Sequence, residues 1–187
     1  MRRFINNLVS VAYLLCRFTF IKLFKWNNFT FYFIERVSPN VVVEIRRKGH
    51  LQFGKKVRIH TGTKIKVNKD TYCIIEDNVK INYYCIIACH ESIKIGNWTE
   101  IGPSVYIYDH DHEYSRQNGV VPDKFKKSSV VIGKNVWIGA NTIILRGTKI
   151  GDNSVVAAGS VIKGVYGSNL VIYNKREINI KTIVKKK

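Results

Sequence analysis

At 187 residues and 45% hydrophobic content, the chain has room for one domain with a real core and an appendage. Its net charge of +18 asks for an anionic partner, but no aromatic-basic motif or recognition-helix pattern accompanies the basic clusters at Arg46-Arg47-Lys48, Lys55-Lys56-Arg58, Lys124-Lys126-Lys127 and Lys185-Lys186-Lys187, so nucleic acid is not expected. Cys16, Cys73, Cys85 and Cys89 form no Cys-x-x-Cys pair and no zinc spacing, which excludes a structural zinc site and fits reduced thiols in a cytoplasmic protein.

Residues 1–36 read as a basic, apolar helical segment. Met1 to Lys25 holds thirteen apolar positions from Phe4 to Phe24, the cations Arg2, Arg3, Arg17, Lys22 and Lys25, and no acid. Its longest charge-free run, Phe4 to Cys16, is too short to span a bilayer. Such a helix either caps the end of a repeat domain or docks on an anionic membrane surface through residues 1–25. The cap is the preferred reading.

From Phe53 onward the pattern has a period of six. Phe53, Ile59 and Ile65 begin it, Ile75, Ile81, Ile87 and Ile93 continue it, and Ile95, Ile101 and Ile107 follow after a slip of two at Ile93-Lys94-Ile95-Gly96. Asn68, Lys69 and Asp70 break the rhythm and read as a corner bulge, and Cys85 falls at a small inward position. The clearest run is Ile132, Ile138, Ile144, Ile150, Val156 and Ile162, with Val136, Thr142, Thr148, Ser154 and Ser160 four places after the first five. A period of six fits neither an α-helix nor one strand pair. It predicts a solenoid of stacked parallel strands that turns a corner every six residues and points one large and one small side chain inward per face. Dense β-branched residues and scarce proline agree with strands.

Between Ile107 and Val130 the rhythm stops. Residues 108–129 are polar, begin with Tyr108-Asp-His-Asp-His112 and contain Gly119 and Pro122. A long excursion from a well-patterned repeat is usually functional, and this one carries two histidines at its start.

The motifs Ile-Tyr-Asp-His-Asp-His at 107–112, Val131-Ile-Gly-Lys-Asn-Val-Trp-Ile-Gly-Ala140 and Ile150-Gly-Asp-Asn-Ser-Val-Val-Ala-Ala-Gly-Ser160 resemble the hexapeptide-repeat acyltransferases, which include galactoside, maltose and capsular-polysaccharide O-acetyltransferases. The resemblance spans roughly residues 50 to 175. It implies an all-β, left-handed parallel β-helix over 37–187, although parallel crossovers are right-handed in nearly all other folds. It further implies acetyl-CoA as co-substrate without a metal, a catalytic histidine at His110 with His112 in reserve, and a cofactor slot at Trp137, Gly139, Ala140, Ala158 and Lys163. Asn82 matches a polar residue of the acceptor pocket, His90 stands where a neighbouring pocket carboxylate is usual, and Asp109 is placed on the acceptor side with them. A homotrimer is expected, with His110 from one subunit and part of the cofactor slot from another.

The chemistry needs these residue types. Transfer of acetyl to a hydroxyl requires loss of the alcohol proton as oxygen attacks the thioester. An imidazole titrating near neutrality can take that proton and pass it to the leaving thiolate. Asp109 or Asp111 could hold the ring, but alternation along a strand would set Asp109 and His110 on opposite faces. No nucleophilic serine or cysteine is required. The implied activity is O-acetyl transfer to a sugar hydroxyl of a glycan, sugar nucleotide or lipid-linked sugar in surface-polysaccharide assembly, in the cytoplasm or peripherally at the inner face of the membrane. Two other readings use the same fold: a metal hydratase like the γ-carbonic anhydrases with His90, His110 and His112 as ligands, and a non-catalytic scaffold. The C-terminal end departs from the family, carrying Asn174-Lys-Arg-Glu177 in place of a proline-containing segment.

Overall fold

In the computed structural model, which describes residues 2–32, 36–117, 119–175, 177, 180 and 181, with the side chains of 2–10 and Leu14 left out, the chain winds as a parallel β-helix behind one long helix, α1 (Arg2–Phe24). The Lys185-Lys186-Lys187 cluster and the side chains of Arg2 and Arg3 lie outside the described residues.

Three parallel sheets form the walls of a triangular prism. The first face stacks the strands Phe29–Thr30, His50–Phe53, Tyr72–Ile75, Ser92–Ile95, Val130–Ile132, Lys149–Ile150 and Val165–Tyr166. The second stacks Arg36–Val37, Arg58–Ile59, Lys80–Ile81, Glu100–Ile101, Trp137–Ile138, Val155–Val156 and Val171–Ile172. The third stacks Val42–Ile45, Lys64–Val67, Ile86–Cys89, Tyr106–Tyr108, Ile143–Ile144 and Val161–Ile162. Each coil visits the faces in that order, giving six full turns and a partial seventh among the described residues.

The hexad residues are the core. Ile132, Ile138, Ile144, Ile150, Val156 and Ile162 are buried, and so are Val136, Thr142, Thr148, Ser154 and Ser160. The inward hydroxyls satisfy themselves on the coil: Thr148 Oγ1 donates to the carbonyls of Leu145 at 2.6 Å and Ile162 at 3.1 Å. The slip at Ile93–Ile95 is a wider wall: the strand Ser92–Ile95 buries both Ile93 and Ile95, as Tyr72–Ile75 buries Cys73 and Ile75 beneath it. Asn68 to Asp70 form the turn that leads onto that wall. Many corners place a residue in the left-handed region, for which Asn is suited: Asn78, Asn135, Asn153 and Asn169 recur at the edge between the first and second faces.

A bare end would expose the first coil's apolar interior and its unpaired carbonyls. Helix α1 closes it. Phe18 is buried, packing edge-on to Phe29 at 5.1 Å and stacking on Phe53 at 5.8 Å. Arg17 donates to the carbonyl of Val41 at 2.6 Å and Lys22 to that of Phe29 at 2.6 Å. The prism also starts earlier than the expected boundary at residue 37, because Phe29 and Thr30 already pair with Leu51 and Gln52. Two residues too few for a visible hexad explain why the sequence pattern did not show it. No helix among the described residues is long and apolar enough to cross a membrane.

The excursion is an antiparallel ribbon, His110–Ser115 paired with Gly119–Lys127, with an irregularity between His112 and Tyr114. It leaves the prism at the edge between the third and first faces.

Phe18→Ala should open the capped end and cost about 3–5 kcal/mol of stability, read as a lower urea midpoint with the β-rich circular dichroism retained in native buffer.

Candidate active site

At the base of the ribbon the chain turns out of the third face through Asp109. This residue lies in neither flanking strand, so the alternation that would have separated it from His110 does not apply. Asp109 is fully buried. Its Oδ1 accepts the backbone N–H of His90 at 2.8 Å and its Oδ2 that of Glu91 at 2.7 Å. His110 Nδ1 lies 3.1 Å from Oδ1. Burial raises the Asp109 pKa, but the hydrogen bonds from His110 and from those two amides outweigh it and hold the carboxyl below its ordinary value. An ionised Asp109 can only accept, so in the neutral tautomer of His110 the proton sits on Nδ1 and the lone pair on Nε2. Asp109, expected among the acceptor-binding residues, has no exposed surface, and both its oxygens are engaged by His110 and the two amides.

His90 stacks face to face on His110, with ring centroids 3.7 Å apart and planes 14° from parallel. Burial, and then the neighbouring His110, push His90 down to about 4, so it is neutral at physiological pH. Asn68 Nδ2 donates toward its Nδ1 at 3.2 Å, as a neutral ring allows. Phe125, on the returning strand of the ribbon, meets His90 at 4.6 Å, His110 at 5.4 Å and His112 at 4.9 Å. Neither Phe125 nor Arg146 was expected. Arg146, in the next coil, donates Nε–H to Asp111 Oδ2 and so pins the ribbon's base. The pairing of His112 with Phe125 becomes visible only once the ribbon's register is known. His112 itself is exposed.

A cleft of about 580 Å³ opens beside this cluster, lined by Tyr72, His90, Glu91, Asp123, Phe125 and Lys127 among others. His90 belongs to it. Stacked imidazoles direct their in-plane lone pairs along separate planes, so His90 and His110 do not converge on a common ion, and among the described residues no three His, Cys, Asp or Glu side chains are grouped to hold a metal. The buried thiols are poor nucleophiles, burial pushing Cys85 up to about 11 and Cys89 up to about 12.

The remaining expected residues sit elsewhere. Trp137 projects from the second face, well exposed. Gly139 and Ala140 turn the next corner, between the second and third faces, with Ala158 stacked on the coil above. A Cβ on Gly139 would come within 2.4 Å of the Ala158 backbone nitrogen, so glycine is demanded there by coil packing in addition to any cofactor role. Asn82 lies at the same corner two coils earlier, its carbonyl accepting Thr63 Oγ1 at 3.0 Å. Lys163 does not join this group; it lies at the His110 edge, its carbonyl taking the Tyr166 hydroxyl at 3.1 Å. In a triangular section, the edge carrying His110 stands opposite the face carrying Trp137. One protomer cannot bring the two together.

Residues 129–164 match the model described as bacterial transferase hexapeptide (six repeats). The chain is 36% identical over 136 residues to a protein of Escherichia coli (strain K12) named as a lipopolysaccharide biosynthesis O-acetyl transferase, WbbJ, covering 68% of this chain and 69% of that one. It is 35% identical to the galactoside O-acetyltransferase of Lactococcus lactis over 52% of this chain and 49% of the relative. Among solved structures, the hexapeptide-repeat acetyltransferase VCA0836 of Vibrio cholerae, complexed with acetyl coenzyme A, superimposes with a TM-score of 0.58 at 26% identity over 65% of each chain. AntD, an N-acyltransferase of Bacillus cereus, shares the fold at a TM-score of 0.68, with 21% identity and 81% of each chain covered.

Because His90 is held at about 4 against an ordinary 6.5, the unfolded chain takes up a proton that the folded one refuses. Its contribution to stability is whole above about pH 6.5 and is lost as pH falls toward 4. Urea midpoints measured across that window should fall more steeply for the wild type than for His90→Asn.

Proposed function

Since the chain belongs to the hexapeptide-repeat acyltransferases, we propose that it moves the acetyl group of acetyl-CoA to a hydroxyl of a sugar, in the assembly of a surface polysaccharide or lipopolysaccharide, with His110 as general base. The observation that carries this reading is the Asp109–His110 pair: a buried, ionised carboxylate tied to two backbone amides fixes one tautomer and leaves Nε2 of His110 as a base. As the sugar oxygen attacks the thioester carbonyl, Nε2 takes its proton. The tetrahedral intermediate then collapses, the C–S bond breaks, and the imidazolium returns the proton to the departing sulfur. Asp109 steadies the cation between the two steps, an arrangement whose base alone is typically worth about 10²–10⁴ in rate. His112, exposed on the ribbon and without a carboxylate partner among the described residues, is the weaker candidate.

Trp137, Gly139, Ala140 and Ala158 would bind the cofactor's pantetheine arm along the edge between the second and third faces, while Lys163 would approach its phosphates from the adjoining subunit. The opposition of the His110 edge and the Trp137 face supports a homotrimer whose sites lie between protomers. The cleft lined by His90 and Phe125 would hold the acceptor sugar, with Asn82 completing the pocket from the neighbouring subunit. His110→Ala should lower kcat by about 10²–10⁴ with acetyl-CoA affinity intact, Asp109→Asn should lower it too, and His112→Ala should leave it near wild type. Trp137→Ala should raise the KM for acetyl-CoA. Assayed at acetyl-CoA far below the KM of the Trp137→Ala chain, co-refolding the His110→Ala and Trp137→Ala chains should give more activity than either alone, because mixed trimers contain one intact pairing; no recovery would count against shared sites.

The outer side of α1 supports peripheral membrane contact in a cytoplasmic setting. Phe20, Leu23, Phe24 and Trp26 are exposed, the Phe20 and Phe24 rings lie 4.9 Å apart and tilted by 57°, and Lys25 lies beside them. An aromatic patch with cations and no acid suits an anionic bilayer surface. The protein should float with anionic vesicles, and Phe20→Ser/Phe24→Ser should abolish flotation while leaving the Phe18 plug in place.

A further inference from the structure

The second face is divided in two. In register across it, the outward side chains are Arg36, Arg58, Lys80, Glu100, Trp137, Val155 and Val171. The half from Trp137 onward is apolar and is the half assigned above to acetyl-CoA. The half before it is a ladder of three cations on consecutive strands, each about 5 Å from the next. Like charges placed directly opposite one another on adjacent strands are destabilising. Only Lys80 has a counter-charge, Glu100; among the described residues no carboxylate pairs with Arg36 or Arg58. Arg58 is felt further along as well: after burial, its charge is what holds His60 below its usual value.

The adjoining edge changes at the same level. The residues that follow each strand onto the corner are Ser38, His60 and Asn82, then Gly102, Gly139 and Ala157. Beside the cations this edge is polar and carries an aromatic shelf, with His60 and Tyr83 rings 4.6 Å apart and Tyr83 and Tyr84 exposed. Beside Trp137 it narrows to glycine and alanine.

We propose that Arg36, Arg58 and Lys80 form a track for the diphosphate of an acceptor whose sugar is carried on a phosphoanhydride; this rests on the acetyl-CoA reading, which places the thioester next to Trp137. An acceptor approaching that thioester from the side opposite the cofactor must cross these rungs. Planar guanidinium groups on neighbouring strands suit two linked phosphates, each fork taking a phosphate through paired N–H bonds. Glu100 ends the track one strand before Trp137 by engaging Lys80, leaving no free cation beside Trp137 on the described strands of this face, so that the sugar, and not its carrier, reaches the acetyl group. The track runs toward the α1-capped end. Nucleotides and polyprenyl lipids both supply such a diphosphate.

Inorganic pyrophosphate is the probe. It is titrated calorimetrically into the full chain at saturating coenzyme A, which fills the cofactor's own phosphate contacts. Arg36→Gln/Arg58→Gln should weaken binding at least tenfold, while Lys94→Gln/Lys149→Gln, which removes the same charge from the first face, should change it less than twofold. Displacement of pyrophosphate by UDP identifies a nucleotide carrier, and displacement by polyprenyl diphosphate in phosphatidylcholine vesicles identifies a lipid carrier; displacement by neither overturns the assignment to a carrier. Equal weakening in both double variants, or none in the arginine pair, overturns the track itself. A thermal shift with coenzyme A is recorded on the same samples. Its absence would count against the transferase reading, and the comparison of the two double variants would still decide the track.

Discussion

Parallel stacking at one strand spacing per coil is the constraint from which the rest follows. Each inward side chain must sit on the equivalent side chain of the coil below, as Ile132 sits between Ile95 and Ile150. Large aliphatic and small hydroxyl or β-branched residues therefore recur at fixed places, and the corners must tolerate left-handed backbone. No coil buries its own interior, so the prism depends on its neighbours throughout and on α1 at one end. Phe18 shows how literal that dependence is: the helix supplies the side chain that a preceding coil would otherwise have provided.

The same regularity makes the excursion informative. A solenoid that repeats faithfully has little freedom to build a site, because each side chain is either committed to the core or part of an outward ladder. Leaving the register at Asp109 releases a carboxylate from alternation and buries it where the amides of His90 and Glu91 are already pointing. The ribbon then folds back so that Phe125 packs against both stacked imidazoles. Arg146 ties the base of the ribbon to the following coil through Asp111.

Face and edge have different uses. Faces present ladders whose chemistry can change abruptly from one strand to the next, as from Glu100 to Trp137. Edges carry turns where neighbouring coils approach so closely that only glycine fits, as at Gly102 and Gly139. Cationic rungs and an aromatic side chain lie along one side of the prism, while His110 stands on the opposite edge.

The period of six, read from residues such as Ile132, Ile138 and Ile144, was enough to establish the stacked-strand architecture and to mark residues 108–129 as the departure from it, because core periodicity is local and survives in one dimension. Motif resemblance, not periodicity, pointed to His110, Trp137 and their chemistry. Tertiary structure decided what spacing cannot encode. It gave Asp109 to His110 because a bend cancelled strand alternation, set His90 in a stack on that ring, and recruited Phe125 and Arg146 through ribbon register. It also separated Lys163 from Trp137 and aligned Arg36, Arg58 and Lys80, residues remote in sequence that become neighbours only because successive coils place them one strand spacing apart.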